Sequence, residues 1–239
     1  MKIKILGKYG PFATNGNSTS GYLVEANNNL ALLDLGSGTV SKFLQNFCID
    51  NLSFVFLSHL HFDHISDFGV LSYAINFLRK NNKKINLYLP NDNSKILEVL
   101  KGTDAFNLIF IEENKEYKDG DFSFYFCKMQ HPVLTFGINL KANDKVFAYS
   151  GDTASTLGLD ELTKNAHLFL CDGAFLENDY TENKPHLSVK KVCDYANLKG
   201  LKTIITHQNF AYLDSQVEGE IKRFSSFCQL AKEGKEYIL

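Results

Sequence analysis

Three histidines and one aspartate lie within six consecutive positions, in the pattern His-x-His-x-Asp-His formed by His59, His61, Asp63 and His64. With this chain's own His and Asp frequencies, chance produces the pattern in about one chain in three thousand, so it is far more specific than most short motifs. In extended chain His59 and His61 point the same way, whereas Asp63 and His64 begin a helical turn and point elsewhere. One loop can therefore serve two neighbouring metal ions. Imidazole with carboxylate favours zinc and also allows manganese or iron.

Two metal ions need more than four ligands, and three isolated candidates each follow an apolar, strand-like run: His131, Asp152 and His207. The carboxyl ends of strands are where sites in α/β proteins usually assemble. Taken alone, each histidine is more simply a core residue, and Asp152 is a turn residue after Gly151. Beside the histidine cluster, we predict that all three are metal ligands.

Alternating strands and helices must position these residues. Strand-like runs cover 20–26, 30–34, 53–58, 85–89, 107–111, 122–129, 136–149 (a hairpin), 166–171 and 202–206. Helical periodicity covers 40–47, 67–79, 94–101, 188–198 and 215–232. Helices that cover strands in both halves predict an α/β protein with two stacked sheets between helices, a four-layer αββα sandwich. Without a repeat or a linker-like stretch, we expect one domain spanning 1–239.

The composition excludes several other classes of protein. In this chain of 239 residues, 44% are hydrophobic and 22% are charged, which excludes a disordered chain. The net charge of −2 lacks the basic excess of a general polyanion binder. There is no run of 18 apolar residues and no secretory signal in the first residues, so we expect no membrane partner. Five dispersed cysteines without a Cys-x-x-Cys pair predict reduced thiols and a cytoplasmic protein.

The order of these motifs resembles that of the metallo-β-lactamase superfamily over nearly the whole chain. The segment 33–36, Leu-Asp-Leu-Gly, is similar to the superfamily's Asp-x-Gly turn, and the histidine loop, a lone His, a lone Asp and a last His follow it. The resemblance implies the αββα fold with a dinuclear site at one edge. It implies one metal held by His59, His61 and His131. It implies a second metal held by Asp63, His64 and His207, with Asp152 bridging the two. For Asp34 we expect a structural turn, with contact to a ligand as the alternative.

Residues near the C-terminal ligand candidates indicate which branch of the superfamily the chain resembles. True β-lactamases of this fold often use Cys at the second metal and lack the bridging Asp, so Asp152 favours phosphodiesterases and thioesterases. The surroundings of Asp172 and His186 resemble the ribonuclease Z-like branch, in which a carboxylate and a His form a dyad beside the metals. That carboxylate is usually Glu, and Asp is one methylene shorter. The alternative for His186 is a surface residue at a helix start.

The resemblance implies catalytic roles for Asp63, His186 and Asp172. Asp63 would orient or deprotonate a hydroxide that bridges the metals, since two ions bring the pKa of a shared water toward neutrality. His186 would supply a proton to the leaving alkoxide, and Asp172 would hold His186 in the required tautomer. The predicted function is therefore a dinuclear metal-dependent phosphodiesterase that acts on a small nucleotide or a short oligonucleotide.

Two departures from ribonuclease Z weaken a role in tRNA processing. Only 20 residues separate His131 from Asp152, where bacterial ribonuclease Z carries an arm that grips tRNA, and Asp67 stands where that branch tends to have Gly. A tRNA 3′-processing endoribonuclease therefore remains an alternative. Others are a hydrolase of carboxyl esters, lactones or thioesters, and a metal- or RNA-binding protein without turnover. Members of this branch are often dimers, so the resemblance also implies a homodimer.

Overall fold

The computed structural model describes residues 1–14, 16–81 and 83–239. Its strands are β1 (Lys2–Gly7), β2 (Tyr9–Gly10), β3 (Gly21–Ala26), β4 (Asn29–Leu33), β5 (Leu52–Phe56), β6 (Ile85–Leu89), β7 (Phe106–Phe110), β8 (Tyr117–Asp119), β9 (Phe122–Met129), β10 (Thr135–Ala142), β11 (Lys145–Tyr149), β12 (Leu168–Asp172), β13 (Thr203–Thr206), β14 (Gln208–Asn209), β15 (Cys228–Leu230) and β16 (Glu236–Ile238). Its helices are α1 (Thr39–Asn46), α2 (Phe62–Ile65), α3 (Phe68–Leu78), α4 (Lys95–Lys101), α5 (Leu159–Leu162), α6 (Val189–Lys199) and α7 (Asp214–Phe224). Among the described residues, no helix combines the length and the hydropathy needed to cross a bilayer.

Two seven-stranded sheets form the centre of the molecule. The first has the order β16-β1-β3-β4-β5-β6-β7, and the second has the order β15-β13-β12-β11-β10-β9-β8. Each sheet is antiparallel at one side and parallel at the other: β4 to β7 run parallel in the first, and β11, β12, β13 and β15 run parallel in the second. The short strands β2 and β14 form a separate parallel pair. The parallel parts bring several carboxyl ends of strands to one edge.

The alternation of side chains along the strands explains the layers. In β5, Phe54 and Phe56 belong to the apolar cluster between the sheets, whereas Val55 between them belongs to the outer cluster under the helices. The inner cluster joins residues of both sheets, such as Ile5 with Phe126. Helices α1, α3 and α4 cover the outer face of the first sheet, and α5, α6 and α7 cover that of the second. The predicted αββα sandwich is confirmed.

The C-terminal secondary structure differs from the prediction. The predicted helix over 215–232 is wrong beyond Phe224, where α7 ends and the chain continues into β15. Ser225 is extended, and its hydroxyl donates to Asn197 Oδ1 and accepts from the Phe227 amide, so it competes with the helical hydrogen bonds. Five strands were not predicted: β1, β2, β8, β14 and β16. In β1 the signal was present, because Ile3 and Ile5 are buried between lysines.

Candidate metal centre

The loop after β5 carries four of the predicted ligands on a backbone that changes conformation halfway. His61 is extended and immediately precedes α2, which contains Asp63 and His64. His59 and His61 lie on the extended part, with His59 Nε2 at 3.0 Å from His61 Nδ1. Because the helical turn redirects the next side chains, Asp63 and His64 belong to a different group of donor atoms.

The other three predicted ligands come from three separate strand ends of the second sheet. His131 follows β9, Asp152 follows β11 and His207 follows β13. His131 Nε2 lies 3.3 Å from His61 Nδ1, and His207 Nε2 lies 3.2 Å from Asp63 Oδ2. The second sheet therefore brings its ligands to the histidine loop of the first.

The seven side chains form two adjacent groups in which all donor atoms lie within 4.8 Å of one another: His59, His61, His131 and Asp152 in one, and Asp63, His64 and His207 in the other. Asp152 also reaches the second group, since its Oδ2 is 3.5 Å from His59 Nε2 and 3.4 Å from His207 Nε2. Nitrogen and oxygen ligands around a tetrahedral zinc lie roughly 3.3 Å apart, as bond lengths of about 2.0–2.1 Å require. The separations in both groups match that spacing.

Unpaired polar atoms supply an independent test of whether divalent ions fit. His64 Nε2 and Asp152 Oδ1 are buried and have no hydrogen-bond partner within the described part of the chain. Leaving buried polar atoms unpaired costs about 1–3 kcal/mol each, which coordination to a cation would offset. Both atoms belong to the donor groups, so the residues fit a pair of divalent ions.

The charge states of three imidazoles suit ligands, whereas at His64 the Asp152 and Asp34 carboxylates outweigh burial and hold the pKa well above its ordinary value. Burial lowers the pKa of His59 well below its ordinary value, and it lowers the pKa of His61 and of His131. These imidazoles are therefore neutral at neutral pH, the form that binds metals. Burial acts to raise the pKa of Asp152, but the His207 and His64 imidazoles outweigh it and hold that pKa well below its usual range.

Asp34 contacts a predicted ligand directly and is more than a turn residue. Its buried carboxylate accepts hydrogen bonds from the Ser58 amide at 2.7 Å and from Tyr149 Oη at 2.6 Å. Asp34 Oδ2 also lies 2.8 Å from His64 Nδ1, which directs Nε2 of the same ring toward the donor group. Such contacts set the orientation and basicity of a ligating imidazole. The roles of Ser58 and Tyr149 were not predicted, although both residues lie next to strand ends that carry ligands.

Two other imidazoles are oriented by similar contacts. His59 Nδ1 lies 3.0 Å from Ser58 Oγ, and His131 Nδ1 lies 3.0 Å from the carbonyl oxygen of Pro185. Because Pro185 precedes His186, the second contact links a predicted ligand to the predicted dyad. No local sequence pattern signals it.

The position of His207 depends on the β2–β14 pair. His207 has a φ of 56°, unusual for a residue other than Gly, and is followed by Gln208, which pairs with Tyr9. A Cβ on Gly10 would lie 2.1 Å from the His207 ring, so only glycine lets β2 pack this closely. The Lys8 ammonium supports the same region by donating to Gln208 Oε1 at 2.7 Å and to Asp214 at 2.8 Å. These contributions from the N-terminus were not predicted.

The two residues of the predicted dyad are hydrogen-bonded. Asp172, at the end of β12, is almost fully buried, and its Oδ2 lies 2.8 Å from His186 Nδ1 and accepts from the Thr153 amide at 2.9 Å. The His186 ring stacks on the His207 ring, with centroids 4.6 Å apart. Burial alone would lower the pKa of His186, but the Asp172 and Asp152 carboxylates outweigh it and raise the pKa to about 9. The shorter aspartate therefore reaches His186, which the sequence left open.

Asp67, noted in the sequence, and His167 have structural contacts. Asp67 caps α1, because its Oδ2 accepts from the Val40 amide at 2.9 Å, where a glycine could not. The seventh histidine, His167, belongs to neither donor group, and its Nδ1 accepts from the Val146 amide at 3.2 Å.

A cavity of about 470 Å³ opens over the donor groups, and its lining includes His61, Asp63, His131, Asp152, His186 and His207. Three of the chain's four prolines, Pro11, Pro132 and Pro185, also line it, together with Ala174 and Phe175. No lysine or arginine is among the described lining residues. Cavities of this size hold small molecules, and here apolar walls surround a polar floor.

Comparisons with known proteins give the family of the chain. The family model of the anti-Pycsar protein Apyc1 matches residues 1–237. The chain is 25% identical over 239 residues to the probable metallo-hydrolase YhfI of Bacillus subtilis, covering 98% of both chains. It is 22% identical over 273 residues to a ribonuclease Z of Methanosarcina acetivorans, covering 90% of this chain and 89% of the relative.

Solved structures show the same architecture. The crystal structure of the metallo-β-lactamase fold protein YhfI from Bacillus subtilis superposes with a TM-score of 0.90 at 24% identity, covering 99% of this chain and 98% of that one. Human tRNase Z, short form, superposes with a TM-score of 0.78 at 17% identity, covering 100% and 99%. These similarities establish the fold and leave the substrate to be argued from the site.

Proposed function

Because the chain belongs to the family of the anti-Pycsar protein Apyc1 and is a metallo-hydrolase of the metallo-β-lactamase fold, we propose that it is a dinuclear phosphodiesterase. The fold is the one that its motifs indicated. Its substrate is a small nucleotide or a short oligonucleotide, and one domain spanning 1–239 carries the activity. The observation that carries the proposal is the hydrogen-bonded Asp172–His186 pair beside two donor groups that share Asp152. Five free cysteines support a cytoplasmic location.

The proposed ligands are those of the two donor groups, with Asp152 between them. Divalent ions, when bound there, supply a water of lowered pKa and neutralise phosphate charge. The set is rich in imidazole, which supports zinc, with manganese or iron as alternatives.

Two protein groups would move protons in the reaction. Burial opposes the ionisation of Asp63, but its hydrogen bond with His207 outweighs burial and lowers the pKa of Asp63, so its carboxylate is charged and can orient the attacking water or take its proton. His186 would donate to the leaving oxygen from Nε2, because Asp172 engages Nδ1. General acid catalysis of this kind is typically worth ~10²–10⁴ in rate.

The cavity supports a small substrate. Proteins that hold a folded RNA neutralise several phosphates with Lys or Arg, and the described lining residues include neither. Between His131 and Asp152 the chain forms only the β10–β11 hairpin, with no arm beyond it. A cyclic nucleotide or a short oligonucleotide needs one phosphodiester at the floor and little charge around it.

Processing of the tRNA 3′ end is the second candidate function. It is favoured by the similarity to ribonuclease Z, which extends over 89% of that relative's length. Hydrolysis of a carboxyl ester, lactone or thioester is a third, because the proline-rich walls of the cavity would also suit an apolar acyl group.

Turnover of bis-p-nitrophenyl phosphate by the purified protein, together with metal analysis, tests the proposal. We expect about two metal ions per chain and hydrolysis that a chelator abolishes and added zinc or manganese restores. A precursor tRNA and a panel of p-nitrophenyl esters are assayed in parallel. Hydrolysis of the esters or cleavage of the tRNA, without turnover of small phosphodiesters, would contradict the proposal in favour of the corresponding alternative.

We also propose that the protein forms a homodimer. Helix α3 supports this, because Val70, Tyr73 and Phe77 lie on one helical face and are 52%, 70% and 80% exposed. Exposed apolar patches on soluble proteins often mark interfaces. Light scattering should give the mass of two chains, and a Tyr73→Glu, Phe77→Glu variant should give that of one.

A further inference from the structure

Two phenylalanine rings stack on each other beside the cavity that opens over the donor groups. The Phe12 and Phe210 ring centroids are 4.1 Å apart, with 29° between the ring planes. The residues are 50% and 44% exposed, so each ring remains accessible to solvent although its partner covers one face. The preceding residues, Pro11 and Asn209, line the cavity itself.

The strand pair β2–β14 places the rings there. The strands are parallel, with Tyr9 opposite Gln208 and Gly10 opposite Asn209, so the chain leaves both strands side by side in the same direction. Phe210 is three residues beyond the predicted ligand His207, and Gly10 packs against the His207 ring. The stacked pair is therefore attached to the metal centre through only a few ordered residues.

The exposure of these rings needs an explanation. The hydrophobic effect favours burying a phenylalanine by about 1.5–3 kcal/mol, and most of the larger aromatic side chains of this chain are in its core. An exposed pair of stacked rings is also a surface on which another planar ring can stack. Each ring follows directly in the chain on a residue that lines the cavity, Pro11 before Phe12 and Asn209 before Phe210.

We propose that Phe12 and Phe210 form a stacking surface for the base of a nucleoside phosphodiester whose phosphate lies at the metal centre. The inference rests on the proposed phosphodiesterase function and adds how a nucleotide is distinguished from other phosphodiesters. Stacking on an aromatic ring accepts purines and pyrimidines alike, because every base has a π-face. The surface would therefore select for nucleotides as a class.

Two chromogenic substrates isolate the contribution of the nucleoside, and the phenylalanine variants isolate that of the rings. Thymidine 5′-(p-nitrophenyl phosphate) and methyl p-nitrophenyl phosphate release the same leaving group from the same kind of phosphodiester, and only the first carries a sugar and a base. We expect Phe210→Ala, and more strongly Phe12→Ala with Phe210→Ala, to lower kcat/KM for the thymidine substrate about tenfold, mainly through KM. That size follows from the usual contribution of base–aromatic stacking. Turnover of the methyl substrate should change less than about twofold.

Matched variants separate stacking from structural damage. Phe227→Ala removes a ring of similar exposure, 41%, that does not adjoin the cavity lining, and should change neither substrate. Phe210→Leu keeps apolar bulk without a π-face and should behave like Phe210→Ala, whereas Phe210→Trp should retain the preference. Thermal melting of each variant checks that it folds.

The outcomes distinguish this inference from the proposed function. If the wild type hydrolyses both substrates and the phenylalanine variants lose both equally or neither, the stacking surface is contradicted while the phosphodiesterase stands. Full activity of Phe210→Leu on the thymidine substrate would also contradict stacking. If the metal-loaded wild type hydrolyses neither substrate, the proposed function fails and the inference fails with it.

Discussion

The two sheets supply the candidate metal centre in different ways. The first sheet contributes four ligand candidates from one loop of six residues after β5, whereas the second contributes three, one from each of three strand ends. Each donor group nevertheless draws on both sheets. The compact motif is therefore an incomplete set of donor atoms, and both candidate groups are completed only when the sheets pack face to face.

The contacts that hold the ligands in place also differ between the two sheets. The histidine loop of the first sheet is held by side chains, with Asp34 contacting His64 and Ser58 contacting His59. On the second sheet, His131 is held by a backbone carbonyl, and His207 depends on the pairing of β14 with β2. A substitution that removes a supporting contact, rather than a ligand, should therefore affect the ligands of the two sheets unequally.

The largest expected effect comes from removing one ligand from each side. His59→Ala and His131→Ala should both lower turnover of a phosphodiester at least ~10³-fold, because metal ions contribute several kcal/mol of transition-state stabilisation. Both variants should also lose bound metal in elemental analysis. His167→Gln is the matched control, since that histidine lies outside the donor groups. If His131→Ala kept its bound metal and its activity, the histidine loop of the first sheet would hold the metal without this ligand of the second sheet.

The second prediction concerns the dyad on the second sheet. His186→Ala should lower kcat by ~10²–10⁴ while the protein keeps its metal ions, because a general acid is lost and the proposed ligands remain. Steady-state kinetics and metal analysis of the same sample check this. A loss restricted to substrates with poor leaving groups would sharpen the assignment, since a good leaving group needs no proton. Unchanged kcat on every substrate would remove His186 from the reaction.

The third prediction tests the side-chain support of the first sheet. Asp34→Asn should weaken metal affinity about 10–100-fold, because the carboxylate no longer polarises and orients His64. Competition with a chromogenic chelator measures the affinity. Asp67→Asn, which alters the cap of α1 without contacting a ligand, serves as control. Equal affinities for wild type and Asp34→Asn would mean that packing alone holds the histidine loop.

The smallest expected effect is on stability and concerns the ion pair that joins the N-terminus to α7. Burial acts to raise the pKa of Asp214, but hydrogen bonds with Lys8 and Gln208 outweigh it and lower the pKa. A lowered folded pKa stabilises the protein above the ordinary pKa of the carboxyl group, and this contribution is lost as pH falls through the folded value. Asp214→Asn should therefore lower Tm by a few degrees near neutral pH, and the difference should shrink below about pH 4.

A matched surface pair controls for general effects of charge. Glu236→Gln breaks the pair between Lys4 and Glu236, in which Lys4 is more exposed than Lys8 is. It should leave Tm nearly unchanged across the same range of pH. A constant Tm difference between wild type and Asp214→Asn at all pH values would show that the Asp214 charge contributes nothing.

Much of the architecture was predictable because it rests on local patterns. The alternation of residues in β5 and the spacing within His59–His64 predict which way the side chains point relative to their own backbone. Such a prediction needs only a few consecutive residues. The αββα fold and the histidine loop followed from it. The helix over 215–232 failed at Ser225, where hydrogen bonds to Asn197 and to the Phe227 amide end it.

Residue types and their local spacing thus indicated the chemical groups, the class of the fold and which carboxylates and imidazoles were candidate ligands. Three contacts depended on how the chain folds: Asp172 with His186, Asp34 with His64 and Phe12 with Phe210. The physical reason is distance along the chain. Those contacts join residues from 14 to 198 positions apart, and their geometry depends on strand order, register and sheet packing, which no single segment specifies.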